Sequence, residues 1–231
     1  MASFPEYGRP GLQVAGADDV SKIVCGVSSS RDLFVRAGAA GAQLVLVHHG
    51  LFWRNEPLLV DRRLKGRLEA LFAADLTLAA YHLALDAHPE VGNNALLAER
   101  LGAERDGAFA EIGVGASYSE PVAIGELAQR LERATGRTPI VFAEGPERIE
   151  RVAVITGGGG ARLIQAAHDW YDALVTGEPE EPALATAREL GIHFLAGGHY
   201  ATETFGVKAL SARLADEFSL GWEFVDVENP V

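Results

Sequence analysis

Sulfur is almost absent from this sequence: one cysteine, Cys25, and one methionine in 231 residues. A single thiol cannot close an internal disulfide, and it rules out the thiolate-rich metal sites of zinc ribbons. Long hydrophobic runs are missing too. The longest uncharged apolar stretch, residues 76–85, falls well short of the roughly 20 residues that span a bilayer. The N-terminal MASFPEYGRPG shows no basic-then-apolar signal pattern. Positive charge is scarce: 20 Lys and Arg stand against 32 Asp and Glu, a formal net charge of −12. That field repels phosphate backbones, so general nucleic-acid binding and anionic membrane surfaces are not expected. A cytoplasmic protein with no membrane contact is the expectation.

What is present is ample core material. With 48% hydrophobic and 23% charged residues, the chain can fill one large domain or two small lobes. Strand patterns alternate with helical ones, the mark of an α/β sheet with short connections. KIVCGVSSS reads as a strand, RDLFVRAGAAGA as a helix with Ser30 as its cap, and QLVLVHH as a second strand. DRRLKGRLEALFAAD has helical spacing, LTLAAYHLAL is strand-like, and GNNALLAERLG is again a helix. Residues 106–149 differ, with short β-like pieces flanking the amphipathic helix IGELAQRLERATG, and read as a connecting layer. The first pattern then returns in RVAVITGG, ARLIQAAHDW, DALVTGE, EPALATAREL, IHFLAGGHY, TFGVKALSARLADEF and WEFVDV.

That return looks like an internal duplication. AGAAGAQLVLVHHG and AAHDWYDALVTGE share a helix end, a polar turn, an apolar strand and a polar strand tip. The reading is one unit over residues 1–231, with approximate halves 1–105 and 150–231 facing each other and the layer 106–149 between. In open α/β sheets, ligands bind at the carboxyl ends of strands. The polar residues at those tips are His48 and His49, His82 and Asp86, Thr176 and Glu178, and His199 and Glu203.

Imidazoles and carboxylates without thiolate suit Zn, Fe, Mn, Co or Ni. HYATE places His199 and Glu203 on one face of a first helical turn. HLALD gives His82 and Asp86 the same separation, although Leu83 and Leu85 suggest an extended segment. On a strand, His48 and His49 point to opposite sides. One ion reached by both requires the chain to leave the pleat, which Gly50 permits; otherwise they serve two ions, or only one is a ligand. A lone histidine at a strand end is more often a hydrogen-bonded structural residue, so the claim rests on several tips together.

Other stretches are less specific. TGGGGAR, residues 156–162, follows a strand and opens a helix, so its amides suit a phosphate; it lacks the P-loop lysine and the dinucleotide spacing, and equally fits a tight turn. In GEPEEPA, Glu178 reaches toward a site while Glu180 and Glu181 read as solvated helix-start charges. His88 reads as a buttress for the loop carrying Asp86, and His168 and His193 as structural. Phe52, Trp53 and Trp170 fit an interface and a core equally well.

GLQV, VHHGLFW, YHLALDAHPEVGNNALLAERLG, TGGGG, DALVTGE and AGGHYATETFGVKAL occur in the order and spacing of the Nif-three-like family, which the chain resembles from about residue 8 onward. Bacterial members are often labelled GTP cyclohydrolase 1 type 2 homologues. The resemblance implies a duplicated α/β fold, a pair of divalent ions at the centre of the protomer, and a homo-oligomer, a hexameric toroid. It carries the ligand roles to His48, His49, Asp86, His199 and Glu203. Glu203 corresponds to the carboxylate that bridges the ions, with His48 and His49 each facing a different one. His82 matches a family histidine beside the ligands and is the choice for moving protons. Two departures stand out: Pro10 replaces the usual asparagine before GLQV, and the large insertion many members carry between the halves is absent.

The implied chemistry is metal-dependent hydrolysis of a small-molecule substrate, of the GTP cyclohydrolase type by family label, with His82 and Glu203 as catalytic groups and no other cofactor. The alternative is a metal-binding assembly or chaperone-like protein without turnover. A nucleotide-binding module built on TGGGG is a third reading.

Overall fold

The structure, a computed structural model, describes residues 6–231. Its strands, in chain order, begin with β1 (Gly11–Val14), β2 (Lys22–Ser28), β3 (Leu44–His49) and β4 (Thr77–Ala80). They continue with β5 (Glu104–Phe109), β6 (Gly113–Val122), β7 (Ile140–Phe142), β8 (Ile149–Val154), β9 (Ala173–Thr176), β10 (His193–Ala196) and β11 (Gly221–Phe224). They build two sheets, ordered β1-β4-β3-β2-β11 and β5-β6-β8-β9-β10-β7. The chain divides into two compact units: residues 1–85 with 206–228, and residues 86–205 with 229–231.

In the first unit β2, β3, β4 and β11 run parallel, and β1 closes one edge antiparallel to β4. The middles of β2 and β3 are buried throughout, as continuous Val, Ile and Leu runs in a covered parallel sheet require. Val24, Val45, Val47 and Leu78 pack with Leu33, Phe34 and Leu71 from the helices Arg31–Ala39 and Arg62–Ala73. Both helices start on a side-chain cap: Ser30 accepts from the amide of Leu33, and Asp61 from that of Leu64.

The second unit repeats the plan. β8, β9 and β10 are parallel, and β7 closes an edge antiparallel to β10, as β1 does to β4. The repeated motif is thus one strand followed by β-α-β-α-β, with that first strand returning to pair with the last. β3 and β9 are the middle strands of the two runs, the same pair that the sequence similarity matches. Side chains alternate across this sheet: Val152, Val154, Val175 and Leu195 join one core with Leu127 and Leu131, whereas Ala153, Leu174 and Phe194 join another with Phe109 and Leu163.

Two expectations change. Residues 106–149 do not form a layer of their own, because β5, β6 and β7 hydrogen-bond into the second sheet and the helix Ile124–Thr135 buries Leu127 and Leu131 in that sheet's core. The strand read in LTLAAYHLAL stops at Ala80, and Leu83–Asp86 is a helical turn. Its cause lies far away in sequence. The carboxylate of Glu6 accepts from the amides of Leu83 (3.2 Å) and Ala84 (2.8 Å), satisfying donors that open a helical turn.

Candidate metal centre

Each unit gathers imidazole or carboxylate donors at the carboxyl ends of its parallel strands. In the first unit, His48 and His49 end β3 and His82 follows β4. His48 is fully buried. Ligand atoms of the three histidines lie within 4.8 Å of one another, and the rings of His48 and His49 have centroids 4.8 Å apart. Strand alternation alone predicts opposite sides. The approach is possible because His49 is the last residue of β3, where its ring turns to Ser28 of β2: Nδ1 lies 3.0 Å from Ser28 Oγ.

The hydrogen bonds of His48 fix its tautomer. Its Nδ1 is 2.9 Å from the carbonyl oxygen of Tyr81. A carbonyl only accepts, so His48 donates from Nδ1, and in its neutral form the lone pair sits at Nε2, the arrangement found in metal-ligating histidines. Trp53 stands edge-on to His82 at 5.0 Å between ring centroids, anchored by its indole N–H to the carbonyl of Gly50.

In the second unit, His199 lies between two carboxylates. Its Nδ1 is 3.2 Å from Glu178 Oε1 and its Nε2 3.2 Å from Glu203 Oε1. Glu203 is buried. Hydrogen bonding to Glu203 is the main cause that pushes the His199 pKa up to about 9, burial working against it and Glu178 adding to it. The pair therefore favours positive charge at Nε2, whether a proton or a metal ion. Asp86, also buried, accepts from Asn93 Nδ2 at 2.8 Å, and the amide of Thr156 donates to Asn94 Oδ1 at 2.6 Å.

The glycine turn 157–160 finds its purpose here. Gly157 has φ +65°, and a Cβ at that position would fall 2.1 Å from Glu203 Oε1. Only glycine lets the backbone pass so close to that carboxylate. The amides of Gly157 and Gly159 donate to Thr202 Oγ1 (3.1 Å) and Thr176 Oγ1 (3.0 Å), so these donors are spent inside the fold rather than aimed at a phosphate. The turn is a packing device.

Of the residues expected from sequence, His48, His49 and His82 come together in one unit, and His199, Glu203 and Glu178 in the other. The first-unit group and the His199–Glu203 pair are donor sets of borderline character that fit a divalent first-row ion. Cys25 contributes nothing: it is fully buried, and burial pushes its thiol up to about 11. His88 and His193 are structural as expected, the first accepting from the amides of Glu90 and Val91, the second bonded to Gly145 and Pro146. Sequence reasoning missed Glu6, Ser28 and the carbonyl of Tyr81, and it took Asn93 and Asn94 only as a polar helix start. No helix among the described residues is long and apolar enough to cross a membrane.

Comparison with known proteins identifies the family and matches the fold. The chain is 43% identical over 230 residues to the GTP cyclohydrolase 1 type 2 homolog of Escherichia coli (strain K12), covering 99% of this chain and 93% of that protein. A solved structure described as protein ybgI, of unknown function, superposes with a TM-score of 0.95 at 42% identity, covering 99% of this chain and 93% of that one. TTHA1606 from Thermus thermophilus gives 0.90 at 37%, covering 98% and 92%. The family description Duf34/NIF3 (NGG1p interacting factor 3) matches residues 1–230. With the strand duplication, the histidine tips and these likenesses together, the chain belongs to the Duf34/NIF3 family.

Proposed function

We propose that the protein is a divalent-cation-dependent hydrolase of a small-molecule substrate, using a pair of ions per chain. The ligand roles fall on His48, His49, Asp86, His199 and Glu203. The observation that carries the reading is the orientation of His48: a buried imidazole whose Nδ1–H is taken by the Tyr81 carbonyl offers Nε2 for a cation. Glu178 plays the same part behind His199, meeting Nδ1 with a carboxylate.

Bound divalent ions supply Lewis-acid polarisation and a nucleophilic water at neutral pH. The chain's own groups do the rest. Gly157 leaves room for the Glu203 carboxylate, and Asn93 holds Asp86. His82, its ring beside those of His48 and His49, moves protons. The name borne by the relatives makes GTP the first substrate to test, with attack at C8 of the guanine ring and release of formate; phosphoester and amide hydrolysis follow. By the same kinship the chain assembles with copies of itself into a hexameric ring, which sedimentation equilibrium checks.

The test is elemental analysis of the purified protein followed by a hydrolase panel with and without the recovered ion. Metal together with ion-dependent turnover supports the proposal. Metal without turnover on any substrate leaves a binding or storage protein, and no metal after reconstitution ends it.

A further inference from the structure

Glu6 is an acidic residue in a place that acids avoid: it is buried, 7% exposed. Burial works against its charge, yet its pKa is held below the ordinary carboxylate range by His82 and by the amides of Ala84 and Leu83, which together outweigh burial. Two of those contacts are a helix cap, which a serine or asparagine supplies as well. The third is not needed for a cap. Glu6 Oε2 lies 3.6 Å from Nδ1 of His82, the spacing of an ion pair and longer than a hydrogen bond, and this buried Nδ1 has no hydrogen-bond partner among the described residues, so the carboxylate is the acceptor it faces.

Aromatic and imidazole rings surround the rest of His82. Trp53 stands perpendicular to it at 5.0 Å and Tyr7 edge-on at 6.2 Å, while His48 and His49 lie at centroid distances of 4.9 and 5.5 Å. Glu6 and His82 also border a cavity of about 10 Å³ together with His48, Gly50, Gln13 and Trp53, the room of about one water. An imidazole carries its nitrogens on opposite flanks, so one that turns Nδ1 to a carboxylate presents Nε2 elsewhere.

We propose that Glu6 is a positioning residue of this site, holding the His82 ring with its Nδ1–H toward the carboxylate so that Nε2 is the nitrogen His82 presents for proton transfer. This rests on the reading of His82 as the proton-moving group, and it adds which nitrogen works and what selects it. The arrangement has the polarity of the carboxylate–histidine pairing that orients general bases, at ion-pair rather than hydrogen-bond distance, with the acid charged and acting through the imidazole.

The test is NMR of protein carrying 15N-labelled histidine, with multiple-bond correlations that separate Nδ1–H from Nε2–H tautomers, at pH 8 with and without added zinc. Wild type is expected to show His82 as the Nδ1–H form. Glu6→Ala is expected to shift His82 to an exchanging mixture while its zinc content stays that of wild type, because Glu6 acts on His82 and the proposed ligands within the His48–His49–His82 group are His48 and His49. On any substrate the protein turns over, Glu6→Ala lowers kcat by about tenfold or more with KM unchanged, the range of a displaced acid–base group. An Nε2–H tautomer in wild type overturns the proposal, as does an unchanged tautomer in Glu6→Ala. If that variant does not fold, the wild-type spectrum decides alone. Failure of wild type to bind zinc would sink the proposed function and leave the Glu6–His82 result standing, so the two failures are distinguishable.

Discussion

Replacing Gly157 with alanine places a methyl carbon 2.1 Å from Glu203 Oε1, 3.1 Å from its Cδ and 3.2 Å from His199 Nε2. Ordinary contact begins near 3.4 Å, so the carboxylate must retreat by over an ångström or the turn must open. Site geometry tolerates only about 0.5 Å before function suffers. The backbone adds its own cost: at φ +65° an alanine loses roughly 1–2 kcal/mol relative to glycine. For a chain of this size each kcal/mol lowers Tm by about 2–4 °C, which gives a fall of roughly 2–8 °C. Metal affinity, read by zinc or cobalt titration in a calorimeter, should drop by more than about tenfold, since disturbing even the partners of a ligand costs about 10–100-fold. Gly158→Ala is the internal control. Its Cβ meets nothing nearer than Glu178 Oε1 at 3.5 Å, so stability should stay within about 0.5 kcal/mol of wild type. Equal Tm and equal metal affinity in Gly157→Ala and wild type would refute the claim that this turn exists to admit Glu203.

Further predictions follow from the same contacts. In chelator-treated protein, His199 should titrate near pH 9 against 6.5 in the unfolded chain; a raised pKa stabilises the fold fully below about 6.5 and that contribution fades as pH climbs through 9. Denaturation midpoints against pH, compared with Glu203→Gln, check it, and metal affinity should rise over the same interval because the cation displaces a proton. Asn93→Ala removes the 2.8 Å donor to buried Asp86 and should cost about 1–3 kcal/mol in urea unfolding. Ser28→Ala takes away the partner of His49 Nδ1 and should weaken metal binding about tenfold with Tm little changed.

Much of this was legible in the chain, and the illegible parts share a cause. The duplication showed because its middle strands, β3 and β9, keep apolar runs and polar tips that survive divergence. Histidines and carboxylates at those tips were visible since strand ends are where polar side chains have reason to cluster. Glu6 was not visible: its bonds reach 77 and 78 residues down the chain, and one acid near the N-terminus carries no local pattern. The turn Leu83–Asp86 was misread for the same reason, as its cap comes from Glu6 while Leu-Ala-Leu mimics strand alternation. TGGGG stayed ambiguous because a phosphate loop and a tight turn want the same glycines; what decides is Glu203 packed behind Gly157 and two threonine hydroxyls taking the amides.

Mass spectrometric metal analysis of wild type beside His48→Ala and Glu203→Ala tests the central claim most directly. The account predicts a pair of first-row divalent ions per wild-type chain, with metal lost from each variant while circular dichroism shows the fold kept. Wild type that takes up no ion after reconstitution, or variants that keep the full complement, would contradict it.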